Sequence, residues 1–172
     1  LGMGLLKARF EFADNQEDKA LLMLSGLKTE FPESPTPFIV EGDYFMSAKD
    51  YPRAVKAYSL ASNLSDSQAV AIKEYQALQL VDDKKVNSKE PLESWIKNNP
   101  DSAEVLTMLA ISYQSEGNNT KAIELYEKLI ELRPTDSVAM NNLAWMYFEL
   151  EDPKALVLAE KAYQINPKIA AI

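Results

Sequence analysis

Asp101–Pro134 reads DSAEVLTMLAISYQSEGNNTKAIELYEKLIELRP, and the rest of the chain can be laid on it. Leu109, Ala110 and Tyr113 share one helical face, since residues three and four apart are neighbours on a helix. Gly117-Asn118-Asn119 breaks that pattern. Ala122, Tyr126 and Leu129 then line a second helix that must end before Pro134, because proline lacks an N–H and clashes with the preceding turn.

The pattern returns along the chain. With Ala103 as position 1, Ala122 is position 20, and steps of 34 residues give a column of Ala20, Ala54, Ser88 and Ala122. One further step needs a single deletion in the turn and reaches Ala155 and Pro167. Small residues in this column let the two helices of a hairpin approach closely. The spacing predicts five repeats, at residues 1–34, 35–68, 69–102, 103–136 and 137–169, with a further one starting at 170–172. These expectations amount to about ten helices and no strands, with stability drawn from stacking between neighbouring hairpins.

Large and small residues at fixed offsets in a helix–turn–helix of about 34 residues resemble the tetratricopeptide repeat (TPR). The resemblance implies an all-α fold, a right-handed α-solenoid of about five such units. The first repeat fits least well. Lys7 and Glu11 stand where apolar residues are expected, and Leu6 and Phe10 are the candidates to replace them. Its second helix is clearer, with Ala20, Leu24 and Leu27 before Pro32. The second repeat has Gly42, Phe45, Ala54, Tyr58 and Ala61 in place, with Asp50 as cap ahead of Tyr51-Pro52. In the third, Gln76 and Gln79 occupy normally small and aromatic positions, Asp82-Asp83-Lys84-Lys85 reads as a solvated turn, and a helix from Ser88 buries Leu92 and Trp95. Asp101 with Glu104 suggests a capping box for the fourth, and Asp152-Pro153 a cap and N1 proline in the fifth.

Composition narrows the function classes. The chain has 172 residues, 47% of them hydrophobic, a net charge of −8, and neither cysteine nor histidine. Disulfides, thiolate metal sites and catalysis by Cys–His or Ser–His pairs are therefore absent by composition. The negative balance argues against nucleic acid, whose phosphates need Lys and Arg. No run of about 18 apolar residues spans a membrane. Gly2-Met3-Gly4 follows no strand and lacks the third glycine of a phosphate loop. Glu149 and Glu151 sit at a turn and read as solvated, and Asp43 as a lone acid more suited to specificity than to proton transfer. We therefore expect no catalytic site, no metal and no cofactor. The chain starts at Leu1 without an initiator methionine or a signal-like opening, which reads as a piece of a longer protein.

The resemblance implies a concave face lined by the first helix of each repeat at positions 2, 5, 9, 12 and 13. Mapped here, the first repeat contributes Leu5, Arg9 and Phe12, and the second Ile39, Asp43 and Met46. Lys73, Ala77 and Leu80 follow from the third, Thr107, Ile111 and Gln114 from the fourth, and Asn141, Trp145 and Phe148 from the fifth. Such an apolar strip marks a site for a partner chain, and aromatic anchors carry much of the energy at such sites. Trp145 is the sharpest candidate, being one residue out of phase with the core pair Ala144 and Tyr147; the alternative is that a following repeat covers it. Trp95 is expected in the core, while Met46 and Phe148 fit either the groove or packing between repeats. The carboxylate clamp of chaperone-binding relatives needs Lys, Asn and Arg, but the matching slots hold residues such as Glu74, Glu104 and Met108.

From Trp95-Ile96-Lys97 to Pro167 the chain is also similar to the TPR lipoproteins that accompany bacterial exosortase (PEP-CTERM) sorting and exopolysaccharide export. The shortened turn at Asp152-Pro153 and the AEKAY segment at Ala159–Tyr163 carry that likeness. It implies a periplasmic or outer-membrane place. The expected activity is a non-catalytic scaffold for a protein or peptide partner that is apolar and neutral or basic. The alternatives are a module of an enzyme or export machine encoded elsewhere in the same polypeptide, and self-association through terminal repeats.

Overall fold

The computed structural model describes residues 1–83 and 87–168. Lys84 and Lys85 of the predicted turn, the last residue of the fifth repeat and the predicted start of a sixth at 170–172 lie outside the described residues. Among the described residues there are ten α-helices and no strand: α1 (Gly2–Ala13), α2 (Glu17–Glu30), α3 (Thr36–Ser47), α4 (Tyr51–Ser62), α5 (Gln68–Gln79), α6 (Glu90–Asn98), α7 (Ala103–Ser115), α8 (Asn119–Leu132), α9 (Ser137–Glu149) and α10 (Lys154–Ile165). They divide into two compact units, Leu1–Trp95 and Ile96–Ile172.

In the first unit α1 packs on α2, α3 on α4, and α4 on α5. The column of small residues explains this closeness: Ala20 and Ala54 are fully buried. At Gly42 the approach is tightest, since a Cβ there would lie 2.5 Å from Cε1 of Tyr58. One core collects Leu5, Ala8, Phe12, Ala20, Leu24 and Val40, and a second collects Phe45, Ala54, Tyr58 and Ala77. Leu6 and Phe10 are not part of them. They are 55% and 65% exposed, and Leu5, Ala8 and Phe12 form the buried face of α1 instead. The sequence GLLKARFEF offers apolar residues on more than one helical face, so spacing alone did not choose between them.

In the second unit α7 packs on α8, α8 on α9, and α9 on α10. Leu109, Ala110, Tyr113, Ala122, Tyr126 and Leu129 are all buried, as are Leu143, Ala144, Tyr147, Ala155, Ala159 and Ala162.

The turns inside the hairpins are repeated structures. Asn15, Lys49, Gly117 and Glu151 have φ of 58°, 60°, 76° and 56°, and the first two, like the last two, stand 34 residues apart. Each follows its first helix in a left-handed cap: Asn118 N–H donates to Tyr113 O at 2.9 Å and Gly117 N–H to Gln114 O at 3.0 Å, with the same pairs at the other three turns. Asp83, the equivalent residue of the third repeat, has no positive φ, and α6 begins only at Glu90 with nine residues. Ser88 therefore precedes the helix it was expected to start, although Leu92 is fully buried as expected and Trp95 is half-buried. Capping also shifts by a residue in two places. Ser102, rather than Asp101, accepts from Val105 N–H, while Asp101 pairs with Lys128 at 3.6 Å. Asp152 Oδ1 accepts from Lys154 N–H at 2.8 Å, and α10 starts after Pro153.

Candidate functional site: the face of the first helices

In the first unit, α1 and α3 enclose a groove of about 460 Å³ lined by Arg9, Phe12, Val40, Asp43, Tyr44 and Ser47 among others. Phe12 is buried because its ring stacks on Tyr44 at 3.8 Å, so its role is mainly packing, as is that of buried Leu5; Arg9 is exposed. Tyr44 Oη donates to Glu17 Oε2 at 2.7 Å, and Arg53 Nη1 donates to Glu17 Oε1 at 2.8 Å. The Tyr44 hydrogen bond, then that of Arg53, holds the Glu17 carboxyl below its ordinary value.

Asp43 is not a lone acid. It accepts from Lys73 Nζ at 2.6 Å and from Tyr58 Oη at 2.8 Å, so two of the predicted groove residues are paired with each other over a buried tyrosine. Burial, and then the bond to Asp43, raises the pKa of Tyr58. Ala77 corrects the sequence expectation: it is fully buried in the Phe45–Tyr58 core and offers no surface. Ile39 and Met46 are half-buried, and Met46 packs against that same core. Leu80, at the end of α5, is 49% exposed.

In the second unit the first helices α7 and α9 leave apolar side chains uncovered. Ile111 is 50% exposed, Trp145 45% and Phe148 56%, whereas Ala144 and Met146 on either side of the tryptophan are fully buried. The Trp145 and Phe148 rings are 5.8 Å apart, and Trp145 Nε1 donates to Glu149 Oε1 at 3.1 Å. Gln114 is half-buried and accepts from Tyr126 Oη at 3.0 Å, while Asn142 Nδ2 donates to that same hydroxyl at 3.3 Å. Burial raises the pKa of Tyr126. Asn141 keeps a buried Oδ1 with no hydrogen-bond partner among the described residues. Thr107 is half-buried and bonds back to Ala103 O.

Two further residues of this face stand at positions 2 and 13 of the fifth repeat, which the mapping of named residues passed over. Val138 is 57% exposed on the first turn of α9. Glu149 is the last residue of α9 and bonds to the indole, rather than being merely a solvated turn acid. Besides its position 13, its place four residues after Trp145 puts it beside the indole on the helix. A cleft of about 680 Å³ between α8 and α10, floored by α9, was also not foreseen, because its walls are second helices. Ile130, Leu143, Val157 and Leu158 line it, with Tyr147, whose hydroxyl donates to Glu127. Burial and that bond push the Tyr147 hydroxyl up to about 12. Among the described residues no group of His, Cys, Asp or Glu is placed to hold a metal, and no helix is long and apolar enough to cross a membrane.

Family models described as tetratricopeptide repeat match residues 103–136 and 125–155. Residues 103–155 carry tetratricopeptide repeats. Solved structures extend the likeness along the chain. MamA is 21% identical, covering 94% of this chain and 95% of its own, with a TM-score of 0.69. YrrB, described as a TPR protein with an unusual peptide-binding site, is 18% identical over 96% of this chain and 86% of its own, with a TM-score of 0.68. MamA from Desulfovibrio magneticus RS-1 is 19% identical over 95% and 92%, with a TM-score of 0.65. At these identities the likeness shows the fold, an all-α fold of the TPR class. No curated protein matches the sequence.

Proposed function

We propose that the chain is a non-catalytic TPR scaffold that holds a peptide or protein segment against the first-helix face of its second unit. The observation that carries this reading is the uncovered Trp145–Phe148 pair between buried neighbours. A tryptophan of this kind is the residue type most often found at interface hot spots, where truncation costs about 2 kcal/mol or more. In the first unit the matching residues are mostly committed: Ala77 to the core, Asp43 and Lys73 to each other. We assign them to holding hairpins in place, and Leu80, Ile39 and Met46 to a lesser apolar patch of the first unit by itself.

The test is capture of partners from extracts of the source cell on immobilised wild type and Trp145→Ala. Loss of a retained protein with the variant supports the assignment, and unchanged retention of every protein overturns it. A setting in exopolysaccharide export or protein sorting rests on the sequence likeness of residues 95–167. The alternative, service to an enzyme or export machine elsewhere in the polypeptide, makes the same prediction for Trp145 but adds a catalytic domain to the reading frame. Self-association through terminal repeats is read by light scattering over a concentration series.

A further inference from the structure

We infer that the Trp145–Phe148–Glu149 corner of the second unit receives an arginine side chain of the partner segment, set between apolar residues; the inference rests on the proposed use of this face. Three observations point to that chemistry. Neither α7 nor α9 contains a lysine or arginine, and their only charged residues are Glu104 and Glu149. In the same unit the chain covers two tyrosine rings with its own lysines. Lys121 Nζ sits 4.7 Å from the Tyr113 ring centre, and Lys154 Nζ 5.0 Å from that of Tyr147. No cation among the described residues covers Trp145, although an indole face attracts cations more strongly than a phenol does.

Glu149 completes the corner. Its Oε1 accepts from the indole Nε1 at 3.1 Å, which fixes the carboxylate at the edge of the ring, and its Oε2 has no partner among the described residues. A planar guanidinium laid on the indole meets that free oxygen with its N–H fork, which combines stacking with a charge-assisted hydrogen bond. Ile111 and Val138, exposed on the same pair of helices, offer apolar contacts to the flanking residues. The net charge of −8 favours approach of such a segment.

The probes are capped ten-residue peptides of alanine, glutamine and leucine that differ only at one central position, carrying arginine, its uncharged isostere citrulline, or glutamate. Binding is read from the two indole N–H resonances in ¹⁵N spectra, assigned by the loss of one in Trp145→Phe. The arginine peptide is expected to shift the Trp145 resonance with an affinity roughly 3- to 10-fold above that of citrulline, as a cation–π contact and an exposed ion pair together allow. Glu149→Gln should remove most of that preference by weakening the arginine peptide more than the citrulline peptide. Equal binding of arginine and citrulline peptides, or tighter binding of glutamate, overturns this inference and leaves the groove reading standing. If no peptide moves the Trp145 resonance, both fall.

Discussion

Gly42→Ala offers a sharp test of the close approach on which the hairpins depend. An added Cβ would lie 2.5, 2.7 and 2.9 Å from Cε1, Cδ1 and Cζ of Tyr58, a ring that is almost fully buried and tied by its hydroxyl to Asp43. Alanine in a helix interior is worth about 1 kcal/mol over glycine. Overpacking a core costs about 1–3 kcal/mol, and a displaced ring also weakens its bond to a carboxylate, worth about 1.5–3 kcal/mol. The clash wins, and the expected net loss is about 1–3 kcal/mol. Gly26→Ala in α2 is the control, because nothing lies within 4 Å of its Cβ position. It should gain about 0.5–1 kcal/mol. Urea unfolding followed by far-ultraviolet circular dichroism reads both variants. Hydrogen exchange of α3 and α4 amides localises the effect, since repeat arrays need not unfold in one step. If Gly42→Ala stabilises as much as Gly26→Ala, the packing argument is wrong.

Other predictions follow from the turns and from Tyr147. Gly117→Ala should cost about 1 kcal/mol and Glu151→Gly should gain a similar amount, because both residues hold the left-handed conformation that only glycine adopts freely; thermal unfolding compares them. The Tyr147 hydroxyl ionises at about 12 in the folded protein against 10.0 as its ordinary value. Stability from this group is thus present below pH 10 and lost as pH rises towards 12, where the unfolded chain releases the proton first. Tyr147→Phe should flatten that part of the stability–pH curve, and an unchanged slope would remove the group from the account.

The repeat phase was legible because it is written in residues whose chemistry leaves few options. Ala20, Ala54, Ala122 and Ala155 are all buried, and alanine is what two closely packed helices tolerate. The left-handed turn was legible at Gly117 but hidden at Asn15, Lys49 and Glu151, exposed residues that take the same conformation within the same pair of cap hydrogen bonds. The exposure of Trp145 was legible in its phase against buried Ala144 and Tyr147. Ala77 was misplaced because a family position carries no information about how deep a small side chain sits once its hairpin is packed. Asp43 looked solitary because its partners, Tyr58 and Lys73, lie 15 and 30 residues away in sequence. The α8–α10 cleft depends on the spacing between second helices, which no local pattern records.

The central claim is that a partner docks on the first-helix face of the second unit. A photo-crosslinking residue placed at Phe148 on that face, and separately at Leu156, which is 67% exposed on α10, tests it most directly. The account predicts crosslinked partner from position 148 and none from position 156. Crosslinking from 156 alone would contradict it.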